Sequence, residues 1–295
     1  MTTTIRHDPT RTTLLQRKFL GEIKRRFNWL YVQILKWLVE EDSLGLKKPE
    51  KPLVLHATGH YAFATNPQKL QIFQSWLANQ VNAGILTVSG KGIYGRPWTY
   101  EYIESAYHRG MTRAYIDANR ILYASAQPDF YLGSREQFLR TAFAQPEMMS
   151  KLQLLGSRSF EQLKGITASM SQQLSTHLIN GLMHGASPLQ IAREMRKSIG
   201  SLSRTRARMI ARTEIIHAHA EGQLDSFQML GVDELGLMAE WSTAGDALVC
   251  EECGAREGET FTVEEARGTI PLHPNCRCCW IPSEIKTEKR KNDRQ

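Results

Sequence analysis

No run of apolar residues in this 295-residue chain approaches the ~18 needed for a membrane-crossing helix. The longest, from Trp29 to Val39, is interrupted by Gln33 and Lys36. The opening Met1-Thr2-Thr3-Thr4-Ile5-Arg6-His7 has no apolar leader, so a soluble protein of a reducing compartment is expected. Cysteine is missing from the first 249 residues, and all five fall between Cys250 and Cys279. An odd number cannot all pair as disulfides. No H-x-E or H-E-x-x-H spacing of a catalytic zinc site accompanies the cysteines. Gly90-Lys91-Gly92-Ile93-Tyr94-Gly95 has glycine spacing, but no strand precedes it and no helix follows, which argues against a nucleotide loop. Helix-turn-helix and finger spacings are lacking too, which argues against sequence-specific DNA reading.

What is present is ordinary in bulk. Hydrophobic residues make up 41% and charged residues 23% of a 33.6 kDa chain, enough for one large or two modest domains. The net charge of +7 is unevenly spread. Between Arg193 and Arg212 seven basic residues face one acid, Glu194, and Lys289-Arg290-Lys291 makes the tail basic again. From Asp233 to Glu265 ten acids face Arg256 alone. Three readings stand for the basic run: a solvated face, phosphate contact through Arg204 and Arg208 as through Lys289, Arg290 and Lys291, or pairing with the acidic region.

Apolar periodicity predicts a largely helical body. Residues 1–13 read as a flexible arm and 47–52 as a Pro-bounded linker. Helices are expected over 14–41, 67–83, 98–123, 134–149 and 152–181. Ser187-Pro188 is a cap and first turn, opening a helix that ends near Ile199. A second cap near Ser201 to Ser203 would then start a helix ending at Gly231. In that helix Ala207, Ala211, Ala218 and Gly222 leave room for a close partner. Beyond Gly231 short segments at 238–243, 259–263 and 277–281 read as strands. The expectation is an α+β chain, with a helical N-terminal region at 14–150 for docking and assembly, a second region at 151–282, and a basic tail at 283–295. The small β-containing lobe at 238–282 would be held by zinc.

The lobe carries the strongest chemical signal. Cys250 and Cys253 form a C-x-x-C pair, and nineteen residues (254–272) separate it from His273-Pro274-Asn275-Cys276-Arg277-Cys278-Cys279. Zinc takes four nitrogen or sulfur donors in a tetrahedron. Four of Cys250, Cys253, His273, Cys276 and Cys278 would supply them, with Cys279 as a competitor. A nucleophilic cysteine needs an oriented base in a cleft. His273, three residues from Cys276 and flanked by Pro271 and Pro274, suits ligation better, so a structural ion is expected.

In the long helix lies Ile210-Ala211-Arg212-Thr213-Glu214. Arg212 and Glu214 stand two apart and cannot pair along a helix, so each must find a partner elsewhere. With Gly222, Gly231-Val232, Trp241-Ser242-Thr243, Asp246, Gly258-x-x-Phe261 and the cysteines, the chain resembles the Mu protein F-like head morphogenesis family over about Leu152 to Pro282. Members are minor capsid proteins of tailed bacteriophages. The resemblance implies that Arg212, Thr213, Glu214, Trp241 and Asp246 are structural motif residues. It also implies a low-copy virion protein, made in the host cytoplasm and built into the procapsid interior near the portal vertex. The portal protein and the major capsid or scaffold proteins are its implied partners, and packaged double-stranded DNA is a further candidate, bound without sequence preference. Catalysis is not implied. Cys279 departs from the family pattern, where an apolar residue is more usual. Some members carry a toxin domain after this module, whereas only thirteen residues follow Pro282 here. The alternatives are a metal-dependent nuclease or an Arg/Glu transferase acting during infection. A nuclease would need a further His or Asp cluster beyond Asp246 and His273.

Overall fold

The structure, a computed structural model, describes residues 8–47, 65–89, 95–124, 133–232 and 237–284. The 90–95 glycine segment (apart from Gly95), most of the 47–52 linker and the Lys289-Arg290-Lys291 cluster lie outside them. The chain divides into two compact units built from interleaved segments. Regions 14–150 and 151–282 each contribute to both units. One unit comprises 18–98 and 158–210, and the other 1–17, 99–157 and 211–295.

In the 18–98/158–210 unit, α1 (Thr13–Leu35) continues from Lys18 and closes in a π-helical turn, Lys36–Glu40. Phe19, Ile23, Phe27, Leu30 and Ile34 recur every three to four residues, and all are buried. Helix α2 (Thr65–Gly84) buries Phe73, Leu77 and Val81. Trp37 stacks on Trp76 with centroids 4.5 Å apart. Arg26 donates to the carbonyl of Gly84 at 2.7 Å, satisfying the end of α2, and lies over the Trp98 ring. A two-residue ladder joins β1 (Val88–Ser89) to β2 (Arg96–Pro97). From this unit's share of α5 (Pro146–Met183), Leu163, Ile166, Met170, Leu174 and Leu178 are buried. Gly181 of α5 lets Ile191 of α6 (Pro188–Met229) approach, since a Cβ there would sit 2.3 Å from Ile191 Cγ1. The expected cap at Ser187 is present. Its hydroxyl accepts the Gln190 N–H, and the Gln190 side chain accepts the Ser187 N–H at 2.9 Å.

Two boundaries differ from the sequence reading. The helix start expected at Ser201 to Ser203 does not exist, because α6 runs unbroken from Pro188 to Met229. The Ser201 hydroxyl donates back to the Ser198 carbonyl, and Thr205 to that of Ser201. These residues serve the helix from within instead of capping it. The break expected between 149 and 152 falls earlier, at Ala144–Gln145. Helix α4 (Arg135–Phe143), with a Ser134/Gln137 capping box, ends there, and Pro146 opens α5 at the one helical position where a missing N–H costs nothing.

In the other unit, residues 8–13 of the sequence-predicted arm form a hydrogen-bonded turn. Asp8 accepts from the Thr13 N–H at 2.9 Å and the Thr10 hydroxyl at 2.7 Å, and Thr10 and Thr12 are buried. Helix α3 (Tyr100–Ala124) crosses the C-terminal half of α6 at very short range. A Cβ on Gly222 would lie 2.3 Å from the Tyr107 carbonyl oxygen, and one on Gly110 would lie 2.0 Å from that of His219. Two glycines thus allow backbone-to-backbone packing, and Gly222 is one of the small positions marked by the sequence. A three-stranded antiparallel sheet follows, β4 (Thr260–Phe261), β3 (Leu237–Ser242) and β5 (Cys279–Glu284), in that order. Of the strand expected over 259–263, only Thr260–Phe261 pairs. Thr262 then caps a short helix, α8 (Val263–Ala266), through a capping box with Glu265.

Gly222→Ala is expected to destabilise by about 1–3 kcal/mol through overpacking. Gly165→Ala, in α5 with nothing within 4 Å of its new methyl, should be neutral or stabilising by about 0.5–1 kcal/mol. Thermal melts of the two variants beside the wild type check this, and equal midpoints for both would refute the close crossing.

Candidate metal centre

The C-x-x-C pair sits at the start of a five-residue helix, α7 (Glu251–Ala255). Cys250 is its N-cap in extended conformation, and its sulfur accepts the Cys253 N–H at 3.4 Å. That geometry turns both sulfurs to one side. The second half of the site is a turn. Cys276 N–H donates to the His273 carbonyl at 3.1 Å, Pro274 takes the first central position, and Asn275 has φ +68°. Proline followed by a left-handed Asn is the signature of a type II turn. Its N–H at Asn275 is anchored by the hydroxyl of Thr213 at 3.2 Å. The motif helix therefore holds the turn that presents His273 and Cys276.

His273 Nε2 lies 3.0 Å from Cys250 Sγ and 3.1 Å from Cys253 Sγ, while Cys253 and Cys276 sulfurs are 3.8 Å apart. Two sets of donors are close enough to share an ion: Cys250, Cys253 and His273, and Cys253, Cys276 and Cys278. Cys253 is common to both. Nδ1 of His273 donates to the Pro274 carbonyl at 2.8 Å, which leaves Nε2 bearing the lone pair toward the sulfurs. Cys279, the expected competitor, lies outside both sets. It is in β5, paired with Ser242, and lines a different cavity.

The cluster is electrostatically primed. Hydrogen bonding from Cys278 pulls the Cys276 thiol down to about 5, against the burial that opposes it. Burial and the neighbouring Cys276 charge push Cys253 up to about 12. The Cys253 N–H lowers Cys250, and the bond to Pro274 raises His273. One charge is easily held and further ones repel each other, the state a divalent cation relieves.

The other motif residues frame the lobe. Asp246 receives both guanidinium nitrogens of Arg277, at 2.6 Å on Oδ2 and 2.5 Å on Oδ1, and also accepts the Leu248 N–H at 3.0 Å. Trp241 is fully buried and packs edge-on against Trp280, its partner across β3 and β5, with centroids 5.4 Å apart. Glu214 is buried and Arg212 half-buried on α6. Arg204 and Arg208 are exposed and lie in the 18–98/158–210 unit, away from the cluster in sequence and in unit.

Sequence reasoning missed the residues that seat the lobe on the helices. The Gln223 side chain pairs with the Trp280 backbone, donating to its carbonyl at 2.6 Å and accepting its N–H at 3.1 Å. Asp225 receives Lys151 at 2.9 Å, Arg267 at 2.8 Å and the Tyr107 hydroxyl. Glu221 receives Lys151 at 2.8 Å and the Gly268 N–H at 3.0 Å. Burial raises the Glu221 carboxyl, but Lys151 and the Gly268 bond outweigh it and hold it below the usual range. Burial first, and then Asp225, raise the Tyr107 phenol. The sequence signal for them was weak, the i,i+4 spacing of Glu221 and Asp225 beside small residues on α6.

Residues 172–281, which include all of α6 and nearly all of the lobe, match the family described as Phage Mu protein F like protein. The resemblance drawn from the motifs holds over that segment. No curated protein and no solved structure matches the chain.

His219 is fully buried beside this crossing. Burial, with Arg113 and Arg109, holds its pKa at about 4, although Asp8 and Gln223 act upward. Unfolded, it would titrate near ~6.5. The neutral ring therefore contributes stability in full above pH ~6.5, and that contribution, about 3 kcal/mol, is lost as pH falls to ~4. His219→Gln should show a flatter melting temperature than wild type between pH 7 and pH 4.5. Parallel curves would show that His219 is already charged in the fold.

Proposed function

We propose that this chain is a head morphogenesis protein of a tailed bacteriophage, a non-enzymatic minor capsid component of the procapsid interior at the portal vertex. The observation that carries the reading is the family match across α6 and the lobe, the same span in which the structure concentrates its buried polar network. Glu221 and Asp225 are each engaged by cations and by neutral donors, so these carboxylates serve packing. Portal, shell or scaffold proteins are the partners this reading supplies. Packaged double-stranded DNA, bound without sequence preference, is a further partner this reading supplies.

Zinc is the ion the donor set fits. Thiolates and an imidazole are its usual ligands, and a Cys253–Cys276 separation of 3.8 Å equals the edge of a tetrahedron with Zn–S bonds of ~2.3 Å. Four of Cys250, Cys253, His273, Cys276 and Cys278 would hold it, supplying folding free energy to a lobe whose sheet has strands of only two and six residues.

Elemental analysis is expected to find one zinc per chain, absent from the Cys250→Ser/Cys253→Ser variant. Limited proteolysis of that variant should cleave after Gly231 while the helices before it stay resistant. An unchanged digestion pattern would remove the structural role of the ion. Quantitative mass spectrometry of purified heads tests the wider reading: a few copies per head are expected, with malformed or empty heads when the gene is silenced. A chain confined to the soluble fraction of infected cells, with nuclease or transferase activity there, would replace it.

A further inference from the structure

The 1–17/99–157/211–295 unit carries a second charged feature, separate from the cysteine cluster and from Arg204 and Arg208. Two cavities of about 330 Å³ and 450 Å³ share Arg11 and Arg113 in their walls. Arg120 lines the first and Arg109 the second. Arg109, Arg113 and Arg120 are spaced by four and seven, so one face of α3 carries all three. Arg11 joins them from the N-terminal turn, its backbone held at φ +55°. Arg11, Arg109 and Arg120 are exposed and Arg113 is half-buried.

Two carboxylates share these walls, Asp8 and Asp117. Both are committed. Asp8 accepts the Thr13 N–H and the Thr10 hydroxyl, and Asp117 takes the Arg113 guanidinium. Glu104 lies near His108 at the far end. Positive charge remains in excess along the groove. From Arg109 to Arg120 the helix rises ~16 Å. Guanidiniums strung over that length do not converge on one anion. They match a row of phosphates, which a duplex presents every ~3.4 Å along each strand. Each planar fork can donate two parallel hydrogen bonds to a phosphate.

We propose that this arginine-lined groove along α3 binds the phosphodiester backbone of double-stranded DNA, without reading its sequence. The choice of DNA as the polyanion rests on the head-protein reading; the groove itself does not. The site differs from the basic run of α6 and the tail that charge counting along the sequence singled out.

Fluorescence anisotropy of a labelled duplex of about 20 base pairs, titrated with purified chain from ~50 to ~200 mM salt, tests it. Arg109→Glu/Arg120→Glu is compared with Arg204→Glu/Arg208→Glu, each checked for folding by circular dichroism. Arg120→Gln alone serves if the double variant melts early. The groove variant should lose about tenfold or more in affinity, with a log–log salt slope shallower by about two, while the α6 variant stays within about twofold. The proposal is overturned if the wild type fails to bind at low salt. It is equally overturned if the α6 variant carries the loss, if both groove variants bind like the wild type, or if inorganic phosphate competes as well as duplex at equal phosphate concentration. Binding is read on the isolated chain, so its failure leaves head incorporation untouched, and absence from heads leaves the groove standing.

Discussion

From Glu214 to Phe227 every residue of α6 is buried, and half of them are polar. A helix in that position has no water to satisfy its side chains, so each polar group must meet a partner from a packed neighbour or cost several kcal/mol. Glu221, Gln223 and Asp225 find theirs from three directions: Tyr107 on α3, Lys151 on α5, and Arg267, Gly268 and Trp280 in the lobe. Lys151 and Arg267 are shared by the two carboxylates, while the Gln223 amide relies on the Trp280 backbone for both its hydrogen bonds. The arrangement around this stretch is thereby specified by hydrogen-bonding demand as well as by apolar fit, and the small residues between the polar ones set how near α3 can come.

The cysteine site depends on the same helix by a lighter thread. Thr213, one residue before the buried stretch, accepts the N–H at the apex of the His-Pro-Asn-Cys turn. The Asp246–Arg277 fork closes the other side of the lobe. Gln223 meets β5 at Trp280, opposite Trp241 across the sheet. The donors are thus delivered by two local devices, a helix cap at Cys250 and a type II turn at Asn275, the second anchored from outside the lobe by Thr213. A metal bound there would join two such devices and lock segments whose own core is small.

Much of this was legible in advance. The apolar repeat of Phe19 to Ile34 and the Ser187-Pro188 start are local signals, and local signals survive folding. The cysteine spacing announced a cluster but not its internal order, because which sulfur faces which depends on the N-cap and on the left-handed Asn275. Ser201 to Ser203 misled because serine caps helices and also bonds back within them, and only the continuing backbone decides. The Ala144–Gln145 break was readable from Pro146 but was outweighed by apolar periodicity on either side. Glu221, Gln223 and Asp225 carried no local signal of their burial. Their burial arises from segments distant in the chain, Lys151 and Arg267 among them, which no window of sequence contains. The arginines of α3 were hidden for the same reason: Arg11 meets them only in the fold.

The interleaving of the two units has a consequence for synthesis. Residues 18–98 and 158–210 can all have emerged while the ribosome is still adding the lobe, so that unit can close early. Helix α3 and the start of α5 must wait for residues beyond 210, since the Gly110 and Gly222 crossing and the Lys151 ion pairs involve the second half of α6. The last strand to be made, β5, is the one that Gln223 grips. The polypeptide therefore carries a built-in order of completion in which α3 and the start of α5 become native together with the C-terminal segments. Any surface that needs β5 in place is completed only once translation has passed residue 284.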